Sequence, residues 1–119
     1  MVATLASEPD VAIGFVCGTR TRAEKLTHES MSNHDADGAL LCIHSVAVDE
    51  QHRRRGVGAA MLRAYVRFVK AQQDSGVREL RLMCKKTLIE FYAAAGFELL
   101  GESDVMHGQD KWYEMRQDV

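Results

Sequence analysis

The chain has 119 residues, 46% hydrophobic and 27% charged, which fits one ordinary domain and excludes two of full size. Fifteen Lys and Arg against seventeen Asp and Glu leave a net charge of −2, so no global basic field draws the protein to nucleic acid or to an anionic membrane. A domain of this size hides roughly 60 to 70% of the surface its unfolded chain exposes, so neither a disulfide nor a metal staple is required.

In chain order, Met1 to Ala6 reads as a strand, Ser7-Glu8-Pro9-Asp10 carries turn chemistry around the only proline, and Val11 to Thr19 reads as a second strand, so a hairpin is expected. Arg20 to Gly38 is polar without a sustained period and reads as a long loop or a short helical turn. Ala39 to Val48, ALLCIHSVAV, is a near-continuous apolar run that fits a central strand buried on both faces. After the charged segment Asp49 to Arg55, Val57, Ala60, Met61, Ala64, Tyr65 and Phe68 recur at three and four residues, which predicts an amphipathic helix to about Gln73. Gly76 breaks that pattern. Leu80 to Cys84 then reads as a strand, and Thr87 to Ala95 as a short helix stopped by Gly96. Phe97 to Leu100 and Lys111 to Met115 complete the chain as two strands around a polar loop, Gly101 to Asp110.

The longest apolar runs, such as Val11 to Cys17, fall far short of the roughly 20 residues of a membrane span. The stretch MVATLASEPD lacks the basic patch and apolar segment of a secretory signal, and a cytoplasmic protein with no membrane partner is expected. Cys17, Cys42 and Cys84 are odd in number, far apart and in apolar runs, so they read as reduced, buried thiols. His28, His34, His52 and His107 share no metal-ligand spacing, and no metal is expected. The run His52-Arg53-Arg54-Arg55 lacks interleaved aromatics, which argues against nucleic acid.

The most informative stretch is the passage from Val46-Ala47-Val48 through Arg53-Arg54-Arg55-Gly56-Val57-Gly58-Ala59, where a buried strand empties through a basic, glycine-containing turn into a helix. Amide groups at such a turn have no intrahelical partner, the helix dipole adds positive charge, and glycine lets a phosphate approach the main chain. The bland reading of this segment is a charged turn capping a helix. No G-x-x-x-x-G-K-[ST] occurs, and Met61 stands where a dinucleotide fingerprint needs a third small residue. What remains, R-x-x-G-x-G at Arg53 to Gly58, resembles the pyrophosphate loop of the GNAT superfamily of N-acetyltransferases. Leu26-Thr27-His28-Glu29-Ser30, Ile43 to Val48, Leu82-Met83-Cys84, Phe91-Tyr92, Gly96-Phe97 and Trp112 to Met115 follow in the order of one branch, the arylalkylamine (serotonin-type) N-acetyltransferases.

The resemblance covers roughly residues 11 to 115 and implies an α/β (α+β) acyl-CoA N-acyltransferase fold with a mixed, mostly antiparallel sheet. It implies acetyl-CoA as co-substrate and a small primary amine, an arylalkylamine or a polyamine, as acceptor. It assigns proton removal to two histidines two residues apart on the central strand. Here the second is His44 and the first position is Cys42, whose neutral thiol is a poor proton acceptor. Thr19 matches a family serine that holds a water chain, and Tyr92 matches the tyrosine that protonates the departing thiolate. Val46, Ala47 and Val48 would bond the pantetheine arm through their main chain, and Arg54 to Ala59 would give amides to the pyrophosphate, with Arg53 beside them. Ser45 falls near a family strand bulge, and Met83 is open between cofactor, acceptor and core roles. The family also begins with a further strand and two helices, for which this sequence starts too late. The expectations are a naturally short version or a second copy completing the site, and the competing function is a non-catalytic acetyl-CoA-binding domain.

Overall fold

A computed structural model describes residues 1–24, 26–105 and 108–119. Strand β1, Val2–Leu5, turns at Ala6 and Ser7 into β2, Glu8–Thr21, an antiparallel pair. The expected hairpin is present, but its turn lies earlier than Ser7-Glu8-Pro9-Asp10, and Pro9 sits inside β2. The pairing explains how a strand tolerates it: the register jumps from Leu5↔Glu8 to Thr4↔Ala12, so Pro9 falls where no ladder amide is required. The polar stretch that follows holds helix α1, His28–Ser32, which begins with a capping box between Thr27 and Ser30.

Strand β3, Leu40–Val48, pairs antiparallel with β2 and parallel with β4, Glu79–Cys84. Between them runs α2, Val57–Ala71, followed by a single 3-10 turn at Gln73–Ser75 that closes on Gly76 at φ 84°. Helix α3, Ile89–Ala93, follows another 3-10 turn, Lys86–Leu88, so the predicted helix Thr87 to Ala95 is split. The last strands are β5, Glu98–Glu102, and β6, Tyr113–Asp118. The sheet order is β1-β2-β3-β4-β6-β5, with β6 placed between β4 and β5 and β3–β4 the parallel contact.

One face of the sheet carries α2 and α3. Val16, Leu41 and Ile43 from the sheet meet Leu62, Val66 and Val69 from α2 and Tyr92 and Phe97 around α3, with Leu62, Leu80 and Met115 wholly excluded from solvent. The buried stripe of α2 is Met61, Leu62, Tyr65, Val66 and Val69, rotated from the predicted one, and Phe68, expected in the core, is 55% exposed. The opposite face carries a smaller cluster of Leu26, Leu40, Cys42 and Val105, with Met83 packed against it. Leu40 to Ile43 are therefore buried on both faces, as the apolar run predicts, while Ser45 onward lies more open. Cys42 and Cys84 are buried free thiols, but Cys17 is exposed, because it points away from the α2 side that buries its neighbour Val16.

Candidate active site

Two local irregularities build the site. The first is a β-bulge: Cys17 pairs with Ser45 and Gly18 with Ile43, which leaves His44 as an extra residue on β3. The bulge needs glycine opposite it, since a Cβ on Gly18 would stand 2.6 Å from the Cys42 carbonyl oxygen. The half-buried His44 ring reaches Thr19, with 2.6 Å between Nε2 and Oγ1. The Thr19 hydroxyl donates to the Ser30 carbonyl oxygen. Having one proton and having given it away, that hydroxyl accepts from His44, so the neutral ring carries its proton on Nε2 and leaves Nδ1 as the free lone pair. Burial pushes the His44 pKa below the ordinary histidine value, which keeps this neutral form present at pH 7.

Cys42, two residues earlier on the same face, has no exposed surface, and its thiol donates to Ser30 Oγ at 3.7 Å. Burial pushes its pKa up, so the sulfur stays a thiol and not a base. Ser30 is the buried polar residue among those described, and it is fully engaged: it donates from Oγ to the Thr27 carbonyl at 2.7 Å and accepts there from Thr27 N–H at 2.8 Å. Sequence reasoning placed Ser30 in a matching segment but gave it no role. Its signal was the T-x-x-S spacing of a cap at Thr27.

The second irregularity is the parting of β3 from β4. Their parallel pairing runs from Leu40↔Glu79 to Cys42↔Arg81 and stops there. Beyond it opens a cleft of about 760 Å³ lined by Val46, Ala47, Val48, Arg53, Arg54 and Gly56 to Ala59, with Tyr92 across from them. His52, Leu88 and Phe91 join this wall and were given no place in the site from sequence, although Leu88 and Phe91 precede Tyr92 by four and one residues. Arg55 and His44 are not among the lining residues, and Met83 lies with the small cluster on the other face. Ser45 is exposed beside the bulge. The side chain of His28, and His107 altogether, lie outside the described residues.

The loop into α2 is held in an unusual backbone shape. Arg53 Nε donates to the Val48 carbonyl at 3.0 Å, tying the loop to the end of β3. Arg54 has φ 64°, and Gly56, the helix cap, has φ 77° with no side-chain cap bond. The first helical bond runs from Ala60 N–H to the Gly56 carbonyl at 3.0 Å, so the amides of Val57, Gly58 and Ala59 have no intrahelical acceptor. These donors, the dipole of a 15-residue helix and the adjoining arginines give this end of α2 a positive potential, the chemistry that suits an anion. Gly56→Ala is expected to cost about 1 kcal/mol, the penalty of a left-handed backbone for a residue with Cβ. A lower urea midpoint at unchanged m value would register it.

Tyr92 is 8% exposed, with its ring edge-on to Phe91 at 5.0 Å and to Phe97 at 6.1 Å. Burial, with the neighbouring Cys84 thiol adding to it, pushes the phenol pKa up to about 12. The hydroxyl beside the cleft is thus a proton donor across the whole neutral range.

The chain has a bulged central strand, a strand pair that splays and a glycine-containing loop opening a helix at the mouth of the splay, and comparison with known proteins gives the family. The family description of the acetyltransferase (GNAT) domain matches residues 2–99, and the chain belongs to that family. Within it the chain is similar to serotonin N-acetyltransferases: 31% identical over 104 residues to that of Mesocricetus auratus, covering 87% of this chain and 49% of that protein. To the Homo sapiens serotonin N-acetyltransferase it is 28% identical over 108 residues, covering 91% and 51%. The chain therefore spans about half the length of these curated relatives. Among solved structures, Ard1 of Thermoplasma volcanium superposes with a TM-score of 0.65 at 23% identity, covering 91% of this chain and 64% of that one. An aminoglycoside 6'-N-acetyltransferase complexed with coenzyme A gives 0.66 at 14% identity, covering 98% and 70%. These last two likenesses carry the fold alone. Among the described residues, no helix is long and apolar enough to cross a membrane.

Proposed function

We propose that this chain transfers an acetyl group from acetyl-CoA to a small primary amine, with an arylalkylamine the first candidate and a polyamine the second. The observation that carries the reading is the cleft itself: one opening is bordered by strand main chain, by unbonded helix amides and by a buried phenol. The free amides of Val57 to Ala59 and the Arg53 and Arg54 guanidiniums suit a diphosphate, and the edge of Val46 to Val48, which has no β4 partner, suits an amide-bearing arm. Arg55, outside the lining, would act through its charge alone.

An alkylamine with a Lys-like pKa near 10.4 is less than about 0.1% neutral at pH 7, so its ammonium must lose a proton before attack. His44 Nδ1 takes that proton through ordered water, with Nε2–H held by Thr19. The amine nitrogen bonds to the thioester carbonyl carbon, the carbon–sulfur bond breaks, and its electron pair leaves on sulfur. Tyr92 gives that sulfur its hydroxyl proton, the nitrogen sheds its second proton to the water chain as the amide forms, and Tyr92 regains a proton from solvent while His44 releases the one it took. The transfer is direct, through a ternary complex, because burial raises the pKa values of Cys42 and Cys84 and disfavours either as a nucleophile.

Titration of the chain with acetyl-CoA, followed by thiol release with tryptamine, serotonin and spermidine, tests the reading. Binding with turnover supports it and ranks the amines. Binding without turnover replaces it by the non-catalytic acetyl-CoA-binding alternative, and no binding by a folded chain removes both. Tyr92→Phe keeps the aromatic packing and removes the hydroxyl that donates the proton. It is expected to lower kcat by about 10²-fold with CoA affinity unchanged, read by steady-state kinetics and titration. Among the described residues the outer edge of β1 has no strand partner, and Val2 on it is 62% exposed, so a second copy pairing there is a further part of the proposal. Gel filtration showing a clean monomer at micromolar concentration would remove that part.

A further inference from the structure

Charge is distributed very unevenly along this chain. Between Gln51 and Gln73 there is no acidic residue, while Arg53, Arg54, Arg55, Arg63, Arg67 and Lys70 all fall there. The other nine Lys and Arg share the rest of the molecule with all seventeen Asp and Glu. A net charge of −2 therefore conceals one cationic segment in an otherwise acidic sequence.

Arg63, Arg67 and Lys70 sit on α2 at helical spacing, within about 60° of one another around the axis and over about 10 Å along it. All three are exposed, opposite the buried stripe of Met61, Leu62, Tyr65, Val66 and Val69. Among the described residues none of the three carries an ion pair, whereas Arg22, Arg81 and Arg116 elsewhere are all paired with carboxylates. None lines the cleft. Counted from Val57, they stand about 9 to 20 Å down the helix from its N-terminal end, too far to touch a group held there.

We infer that the outer face of α2 is an electrostatic guide that draws the polyanionic CoA moiety toward the N-terminal end of the same helix and speeds its capture. This rests on the reading of the cleft as a CoA site. The ligand carries a diphosphate and a phosphomonoester, the latter about −1.5 to −2 by itself near neutral pH. The acidic remainder of the protein repels such a ligand, so approach is favoured from the α2 side, where the field points along the helix to the free amides. A guide of this kind acts before contact. It raises the association rate, leaves dissociation alone and fades once the Debye length, about 30 Å at 0.01 M salt, falls to about 8 Å at 0.15 M.

The test is stopped-flow association of a fluorescent CoA analogue with the wild-type chain and with R63Q/R67Q/K70Q, at about 0.01 M and about 0.3 M salt. A second triple variant, R22Q/R78Q/K111Q, makes the same change in net charge elsewhere. The helix variant is expected to associate roughly three- to tenfold more slowly at low salt, with an unchanged dissociation rate, unchanged kcat and convergence with wild type at high salt. Equal association rates at low salt would overturn the inference, as would a loss carried by dissociation, which would mean direct contact. An equal loss in the second variant would assign the effect to net charge and overturn it too. Failure of the wild-type chain to bind the analogue at all would instead remove the CoA reading, which keeps the two failures apart.

Discussion

His44→Gln is expected to lower acetyl-CoA-dependent turnover by about 10²- to 10⁴-fold, the range set by loss of a positioned general base. CoA affinity should hold, because His44 is not among the residues lining the cleft. Glutamine keeps a hydrogen-bonding group for Thr19 and removes the titrating lone pair, so the variant separates chemistry from packing. The pH dependence sharpens the test. Burial lowers the His44 pKa from 6.5, and the active form is the unprotonated one, so activity is present at neutral pH and lost as pH falls through a value below 6.5. A kcat/KM profile should show that acid limb in the wild type, and what activity remains in His44→Gln should lack it. A variant with wild-type turnover, or with the same acid limb, would take the base role away from His44. Thr19→Val offers a milder version: it frees Nε2 and allows either tautomer, and a drop of about tenfold with the same limb is expected.

The second large effect concerns Gly18, which is not among the residues lining the cleft. A Cβ there would meet the Cys42 carbonyl oxygen at 2.6 Å, a main-chain atom held in the β2–β3 ladder. The strands must shift, and overpacking of this kind costs about 1 to 3 kcal/mol. The bulge that releases His44 from the ladder lies directly opposite, so Gly18→Ala is expected to lose activity beyond what its lost stability explains. Chemical denaturation and kinetics at a temperature where the variant stays folded measure the two separately. A stable, fully active Gly18→Ala protein would show that the bulge relaxes without consequence.

Where a residue's environment is set by its neighbours in sequence, its place was legible. The alternation of Leu80 to Cys84 predicts a strand, and β4 covers Glu79–Cys84; Gly56 just before an apolar period of three and four marks the start of α2. Helix phase was less legible: Phe68 fits the same period as Met61 and Tyr65, and only the position of the sheet beneath α2 chooses Val66 and Val69 over it. Pro9 reads as a turn residue because its missing amide argues against a strand, and the register jump that excuses it is invisible until β1 is paired. Cys17 reads as buried for the same reason that Val16 is, since period 2 does not say which face a helix will cover.

By itself the sequence determined the family, the basic glycine loop before α2 and the presence of His44 on the central strand, because each depends on residue type and short-range spacing. Tertiary structure alone decided that β6 lies between β4 and β5, that the β3–β4 pairing stops at Cys42↔Arg81, and that Ser30 and Thr19 set the His44 tautomer. The pairings and hydrogen bonds involved join residues 11 to 39 positions apart, and such contacts arise from strand pairing and helix packing, in which local preference carries no partner information.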